Sequence, residues 1–503
     1  MSSPRRVVIV GGGTAGWMAA NLLVARWSSD ELAVTLVESP QIGTVGVGEG
    51  STPTLRRFFQ LIDVADADWM PACNATYKVG IRFDGWSPAR GPASYRHPFF
   101  SQPDTFITQP FLTNCRTRRL GLDVTTQPDA FFLNGALASQ RLAPLPDTRF
   151  PFDIDYGYHF DALLLGRYLT RVGIGRGVKH IEAKVGGVAV AENGLITRIE
   201  TDDAGQIDGD FFIDCTGFAG LLLEGALGEP YIDFGDNLFN DAAVALPSAA
   251  VSPQSSETVS TALSAGWCWH IPLTSRVGNG YVYSSRYLAA DAAETELRRH
   301  VGDLDGKHEA RHLKMRVGRL RRHWRGNCLA VGLAQGFIEP LEATALLLVQ
   351  VTVEKFMDEW ASAGFAPQPT DSFNRDIAAH FDGVRDYIVA HYKLNSRDDS
   401  EYWRANRDND ILSDSLRHLL DVWYRCEDLS AEIARQRLVS HFDTRSWHCL
   451  LAGYGIFPAL ADEQPGRGDL YVERDVARYQ RGCAMNFESH EQVLAAQAST
   501  GTS

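Results

Sequence analysis

Apolar positions along this chain keep two rhythms. Residues 7–10 form a short apolar run that ends in glycines, residues 16–27 repeat with helical spacing, and residues 34–38 form a second apolar run. The first 40 residues therefore predict a strand–helix–strand unit. Further strands are expected at 196–201 and 210–214, and a helix at 161–172. Gly173, Gly175 and Gly177 follow that helix rather than a strand, so they read as its C-terminal turn. The stretch 89–151 is polar, contains prolines and shows no clear period, which predicts loops carried over a site. From Glu342 onward the pattern becomes mainly helical, with helices expected at 344–363, 372–391, 413–423 and 431–441. The small polar tail 499–503 is expected to fray. No repeat, low-complexity block or Gly/Ser linker separates these parts, so an interlaced architecture is expected.

The turn after the first strand is Gly11-Gly12-Gly13-Thr14-Ala15-Gly16, a G-x-G-x-x-G pattern with a strand before it and a helix after it. In such a turn the first glycine permits the bend. The second lets a pyrophosphate reach the backbone, and the third lets helix and strand pack closely. The helix start at Thr14 and Ala15 offers N–H groups and the positive end of the helix dipole. Glu38 closes the second strand, 22 residues after Gly16, where a carboxylate accepts from adenosine ribose hydroxyls. Alone, the glycines fit an empty turn; together with strand, helix and terminal acid they predict a dinucleotide site.

Composition narrows the partners. Acidic residues outnumber basic ones 62 to 48, giving a net charge of −14, which disfavours nucleic acid and anionic membranes. No apolar stretch approaches the roughly 18 residues of a membrane span. The N-terminal apolar run is too short for a signal-peptide core. Eight cysteines are scattered without a C-x-x-C pair or a histidine at metal-ligand spacing, so they read as thiols in a reducing compartment. A cytoplasmic protein without a metal is expected.

Two later segments select the nucleotide. Residues 210–214 followed by Cys215-Thr216-Gly217 form a short apolar strand that ends in Asp214 and a glycine turn. They resemble the second FAD-contacting strand of flavin monooxygenase-type folds. Residues 327–336, with Gly332 and Gly336, resemble the third. Each alone is a buried strand with a glycine turn; three in this order favour FAD over NAD. No second nucleotide fingerprint is evident, so reduced flavin is expected from a separate flavin reductase.

Four further blocks carry a more specific resemblance. Gly266-Trp267-Cys268-Trp269-His270-Ile271-Pro272 contains W-x-W-x-I-P, whose two indoles share one face at strand spacing. It occurs with Val45-Gly46-Val47-Gly48-Glu49-Gly50-Ser51-Thr52-Pro53, with Ala75-Thr76-Tyr77-Lys78-Val79-Gly80-Ile81, and with residues 336–344. Together these blocks resemble the flavin-dependent halogenases of the tryptophan halogenase family, from residue 7 to about residue 460. The resemblance implies that reduced FAD, dioxygen and chloride or bromide give hypohalous acid, which halogenates an electron-rich ring. Trp267 and Trp269 would belong to a wall between flavin and substrate. Gly48 and Glu49 would lie in the flavin loop. Lys78 would be the key catalyst, either as a neutral amine forming a haloamine or as an ammonium polarising hypohalous acid. Glu342 would orient the electrophile and take the proton released as the ring rearomatises. The N–H groups of Thr344 and Ala345 would hold the halide, although the family often has glycine where this chain has Ala345.

On the substrate side, His97 and Phe99 resemble the family's aromatic pocket. Trp447 and His448 stand where tryptophan halogenases place paired tyrosines, which favours indole or an indole derivative over free tryptophan. The alternatives are tryptophan itself as substrate, an aromatic hydroxylase, and a noncatalytic FAD-binding protein. A homodimer is implied by the resemblance. The fold class expected is α/β, with a Rossmann-like, flavin monooxygenase-type FAD-binding core. Residues 1–390 would form this module, with substrate-binding segments inserted at about 89–151 and 230–325, and residues 391–503 a mainly helical cap.

Overall fold

The structure, a computed structural model, describes residues 4–41, 47–367, 371–438, 442–464 and 473–500. The chain folds into two compact units, each assembled from three separated stretches. One comprises Met1–Asn74, Phe160–Phe234 and Arg316–Phe381, the other Ala75–His159, Gly235–Met315 and Asp382–Ser503.

The first unit is built on a six-stranded sheet in the order Trp324–Arg325, Cys328–Ala330, Phe211–Asp214, Arg5–Val10, Leu32–Glu38, Lys179–Glu182. All neighbours run parallel except the first pair. Parallel strands are covered on both faces, which explains why Val7, Val8, Ile9 and Val10 are all buried instead of alternating. Val10 pairs with Val37 and Asp214, and Asp214 with Ala330. The turns after these strands therefore leave from one carboxyl edge, the place where open α/β sheets bind ligands. Helices Thr14–Arg26, Ala162–Gly175 and Ala345–Ser362 belong to this unit. Asp161 caps the second of them by accepting from the N–H groups of Leu163 and Leu164. A Cβ on Gly173 would lie 2.9 Å from the Trp17 ring, so the last turn of this helix needs the small residue for packing as well as for its ending.

The second unit holds a seven-stranded sheet in the order Arg311–Lys314, Ala242–Ala249, Arg276–Tyr283, Gly266–Pro272, Thr258–Leu263, Gly80–Asp84, Ser94–Pro98. Its pairings are antiparallel except that Thr258–Leu263 runs parallel to Gly80–Asp84. C-terminal helices, among them Glu401–Asp408, Asp414–Tyr424, Thr444–Gly453 and Glu473–Ala484, complete a mainly helical end.

The structure departs from the sequence expectations in three places. The stretch 89–151 is not loop: it contains the strand Ser94–Pro98 and the helices Thr105–Arg119 and Leu133–Gln140. Ile107, Phe111, Asn114 and Cys115 mark the buried face of the first helix, but Pro110 and the polar Asn114 hide the period. The helix expected at 431–441 runs instead over Leu429–Gln436, capped by Asp428, and ends at Arg437 with φ +51°; residues 439–441 lie outside the described residues. The helix His490–Thr500 takes in Ser499 and Thr500, where fraying is expected, and residues 501–503 are not described. Among the described residues no helix is long and apolar enough to cross a membrane.

Candidate active site

The glycine turn of the first unit has the form a pyrophosphate needs. Gly11 has φ +110°, and a Cβ there would stand 2.1 Å from the Cys215 carbonyl oxygen. A Cβ on Gly16 would stand 2.0 Å from the Gly11 carbonyl oxygen. Gly13 differs: among the described residues, no atom beyond its chain neighbours lies within 4 Å of where its Cβ would be. It is also the N-cap of the helix Thr14–Arg26, which receives no side-chain cap. Open space above a glycine, next to helix N–H groups without a side-chain acceptor, fits the phosphates of FAD. Glu38 stands at the adjacent strand end. Its carboxylate packs over Gly12, and its Oε1 lies 2.7 Å from His180 Nε2. His180 gives no sequence signal, because its strand joins the sheet only in three dimensions.

Of the later glycines, Gly332 meets this turn. A Cβ on Gly332, where φ is +69°, would press within 2.7 Å of the Ala15 Cβ. Gly336 packs against the Gly318 carbonyl oxygen in the same way. Asp214 plays a role within its own loop. One carboxylate oxygen accepts from Thr216 N and Oγ, and the other from the N–H groups of Leu222 and Leu223. Of the block 45–53, expected to be a flavin loop, Val45 and Gly46 lie outside the described residues; Gly48 begins a short strand, Gly48–Gly50. Burial pushes the neighbouring Glu49 carboxyl up to about 7, and the Asp161 carboxylate adds to the shift.

Glu342 is buried at the end of a single 3-10 turn, Pro340–Glu342, followed by Ala343 at φ +57°. Thr344 is buried and Ala345 exposed, and the helix Ala345–Ser362 begins there, so its first N–H groups have no acceptor one turn back. The carboxylate thus belongs to the turn before the helix rather than to its first turn.

In the second unit Lys78 ends the strand Thr76–Lys78 and has no exposure. The strand pairs antiparallel with Gly157–Asp161, bringing Thr76 opposite His159 and Lys78 opposite Gly157. The ammonium position is 5.3 Å from the centre of the Phe99 ring. Val79 N–H donates to Ser256 O, and Phe99 N–H donates to Val79 O, which pins the chain on either side of the lysine. Trp267 and Trp269 lie on one face of Gly266–Pro272, buried, with ring centres 6.2 Å apart. A Cβ on Gly280 would meet the Trp269 ring at 2.0 Å, so this indole lies flat on the neighbouring strand.

His97 is buried; its Nε2 is 3.1 Å from Ser446 Oγ, and its ring faces Phe100, Tyr387 and Phe442. Tyr387 stacks on Phe442 at 3.7 Å and donates to Ser446 O. Sequence reasoning did not single out Tyr387, which lies on a long helix without a motif, Phe442, which precedes the helix Thr444–Gly453, or Ser446, which adjoins Trp447. Trp447 packs edge-on against Tyr387. His448 Nδ1–H donates to Thr444 O within its own helix, and burial holds its pKa at about 4. As the pH falls, the unfolded chain binds this proton near 6.5, whereas the folded protein resists it until about 4. Folded stability therefore drains away through that window, by about 1.4 kcal/mol per pH unit. His448→Gln is expected to flatten the loss by about 3 kcal/mol in total. Urea midpoints measured from pH 7 to 4 check the slope; an unchanged slope contradicts the neutral buried imidazole.

The sequence model of the family described as "Tryptophan halogenase" matches residues 6–466. A 7-chloro-L-tryptophan 6-halogenase of Kutzneria sp. (strain 744) is 39% identical over 97% of this chain and 99% of its own. A solved tryptophan halogenase from Shewanella frigidimarina NCIMB 400 superposes with a TM-score of 0.85 at 30% identity, covering 99% of this chain and 98% of that one. BrvH, a flavin-dependent halogenase from Brevundimonas sp. BAL3, gives 0.82 at 34% identity over 98% and 99% of the two chains.

Proposed function

Because the chain belongs to the tryptophan halogenase family, we propose that it halogenates indole or an indole derivative, with Lys78 and Glu342 as its catalytic side chains. The enzyme is a flavin-dependent halogenase, and the family implies FAD. The observation that carries the assignment of roles is Lys78: a lysine without solvent exposure, on a short strand, facing an aromatic ring. A protein that merely retained FAD would have no use for so costly a burial.

FAD, when bound and reduced by a separate flavin reductase, would supply the electrons with which dioxygen and chloride or bromide give hypohalous acid and water. Gly11, Gly13 and Gly16, with the N–H groups of Thr14 and Ala15, hold its pyrophosphate, and Glu38 its adenosine ribose. Gly48, Glu49, Gly332 and Gly336 line the remainder, and Asp214 shapes the turn beside it. The N–H groups of Thr344 and Ala345 hold the halide. Lys78 receives the halogen, by forming a haloamine or by donating a hydrogen bond to hypohalous acid; burial keeps water from competing for it. Glu342 takes the proton that leaves the ring carbon. Trp267 and Trp269 keep the aromatic substrate from the flavin. His97 and Phe99 present rings to a flat substrate. Trp447 packed on Tyr387 and His448 bonded within its helix supply no phenol for an amino-acid carboxylate, which supports an indole without one. Family membership does not favour the hydroxylase reading.

The test is an incubation with FAD, a flavin reductase, NADH, chloride or bromide and a panel of indoles, read by mass and isotope pattern. A halogenated indole is expected. Glu342→Gln is expected to lower its rate by about 10²–10³-fold with FAD affinity kept. Hydroxylated product, or none from any indole, would overturn the reading.

A further inference from the structure

His159 is fully buried in the strand Gly157–Asp161, opposite Thr76 and two residues along the paired strand from Lys78. Its ring bridges two hydroxyls. Nδ1 is 3.0 Å from Thr76 Oγ, and Nε2 is 2.9 Å from Thr258 Oγ. The Thr76 hydroxyl gives its one proton to Pro272 O, at 2.8 Å. Toward His159 it is therefore an acceptor, and Nδ1 must carry the ring proton. In the neutral ring, Nε2 is then the acceptor for the Thr258 hydroxyl. Burial above all, and the nearby Lys78 charge next, holds the imidazole well below the ordinary histidine range, in agreement with a neutral ring.

The chain of bonds has a direction and a purpose. Pro272 ends the strand that carries Trp267 and Trp269, and Thr258 begins the strand beside it. Thr76 precedes Lys78 by two residues on its strand. Four strands are thus tied at one point by polar side chains, where apolar ones would fill the space at lower cost. Hydrogen bonds fix direction as well as distance, which apolar packing does not. We propose that His159, as the neutral tautomer protonated on Nδ1, is a positioning residue that locks the Lys78 strand against the strand of Trp267 and Trp269. The amine is thereby held in one orientation toward the incoming halogen. This inference rests on the reading of Lys78 as the catalytic side chain.

The experiment is a single turnover, with reduced FAD supplied in known amount, halide, an indole substrate and a soluble hypohalite scavenger. Two quantities are read: halogenated indole, and hypohalite lost to the scavenger. His159→Leu is expected to move the partition toward the scavenger by about tenfold or more, while the sum of the two stays constant. His159→Gln, whose amide N–H donates to Thr76 and whose oxygen accepts from Thr258, is expected to restore most of the product. Thr258→Val, which removes only the donor to Nε2, shifts the partition part of the way and serves if His159→Leu does not fold. A merely structural role would lower product and trapped hypohalite together, and Gln would do no better than Leu; either result overturns the inference. Lys78→Ala runs alongside. If it keeps full product, the reading of Lys78 fails; if it loses product while His159→Leu and Thr258→Val keep theirs, only the positioning role fails.

Discussion

Replacing Lys78 by methionine is expected to stop halogenation while the protein stays folded. The side chain has no solvent exposure, and its ammonium position faces the Phe99 ring at 5.3 Å. Methionine has a similar length and no charge to desolvate. A replacement of similar volume is expected to change the urea unfolding free energy by less than about 1.5 kcal/mol. Halogenation should fall by about 10³-fold or more, because a thioether can neither form a haloamine nor donate a hydrogen bond to hypohalous acid. The two measurements work as a pair. A variant that is inactive and less stable would mean that the lysine is there for the fold. One that is active would dismiss its chemical role outright.

The second large effect concerns a single methyl group. Gly13 has φ −69° and ψ 176°, a conformation that alanine adopts without strain, and among the described residues no atom beyond its chain neighbours lies within 4 Å of the added carbon. Gly13→Ala should therefore fold normally, with a loss below about 1 kcal/mol from the poorer helix cap. The space the methyl enters is where the pyrophosphate would approach the helix N-terminus. FAD affinity is expected to fall at least about tenfold, or 1.4 kcal/mol, in a fluorescence titration. Gly16→Ala is the contrasting case. Its methyl would lie 2.0 Å from the Gly11 carbonyl oxygen, so the turn itself must shift, and both stability and FAD binding suffer. Unchanged FAD affinity in Gly13→Ala would place the cofactor elsewhere.

The sequence alone reached the glycine turn and the family, because their signals are local. Strand, glycine turn, helix and Glu38 are contiguous, and Arg5–Val10, Thr14–Arg26 and Leu32–Glu38 appear where their periods predict them. The same holds for the helix Ala345–Ser362 and for W-x-W-x-I-P on one strand. Where one proline and one buried asparagine broke the period, as in Thr105–Arg119, the helix was illegible. What only the tertiary structure decided is the surroundings of each functional side chain. Thr76 and His159 are 83 residues apart, His159 and Thr258 99, His97 and Ser446 349. Hydrogen bonds of that span leave no periodic trace, since they depend on which strands become neighbours and not on which residues adjoin. So the chain's own order set the elements and the chemistry available, while the burial of Lys78 and the proton on His159 were settled by packing distant segments together.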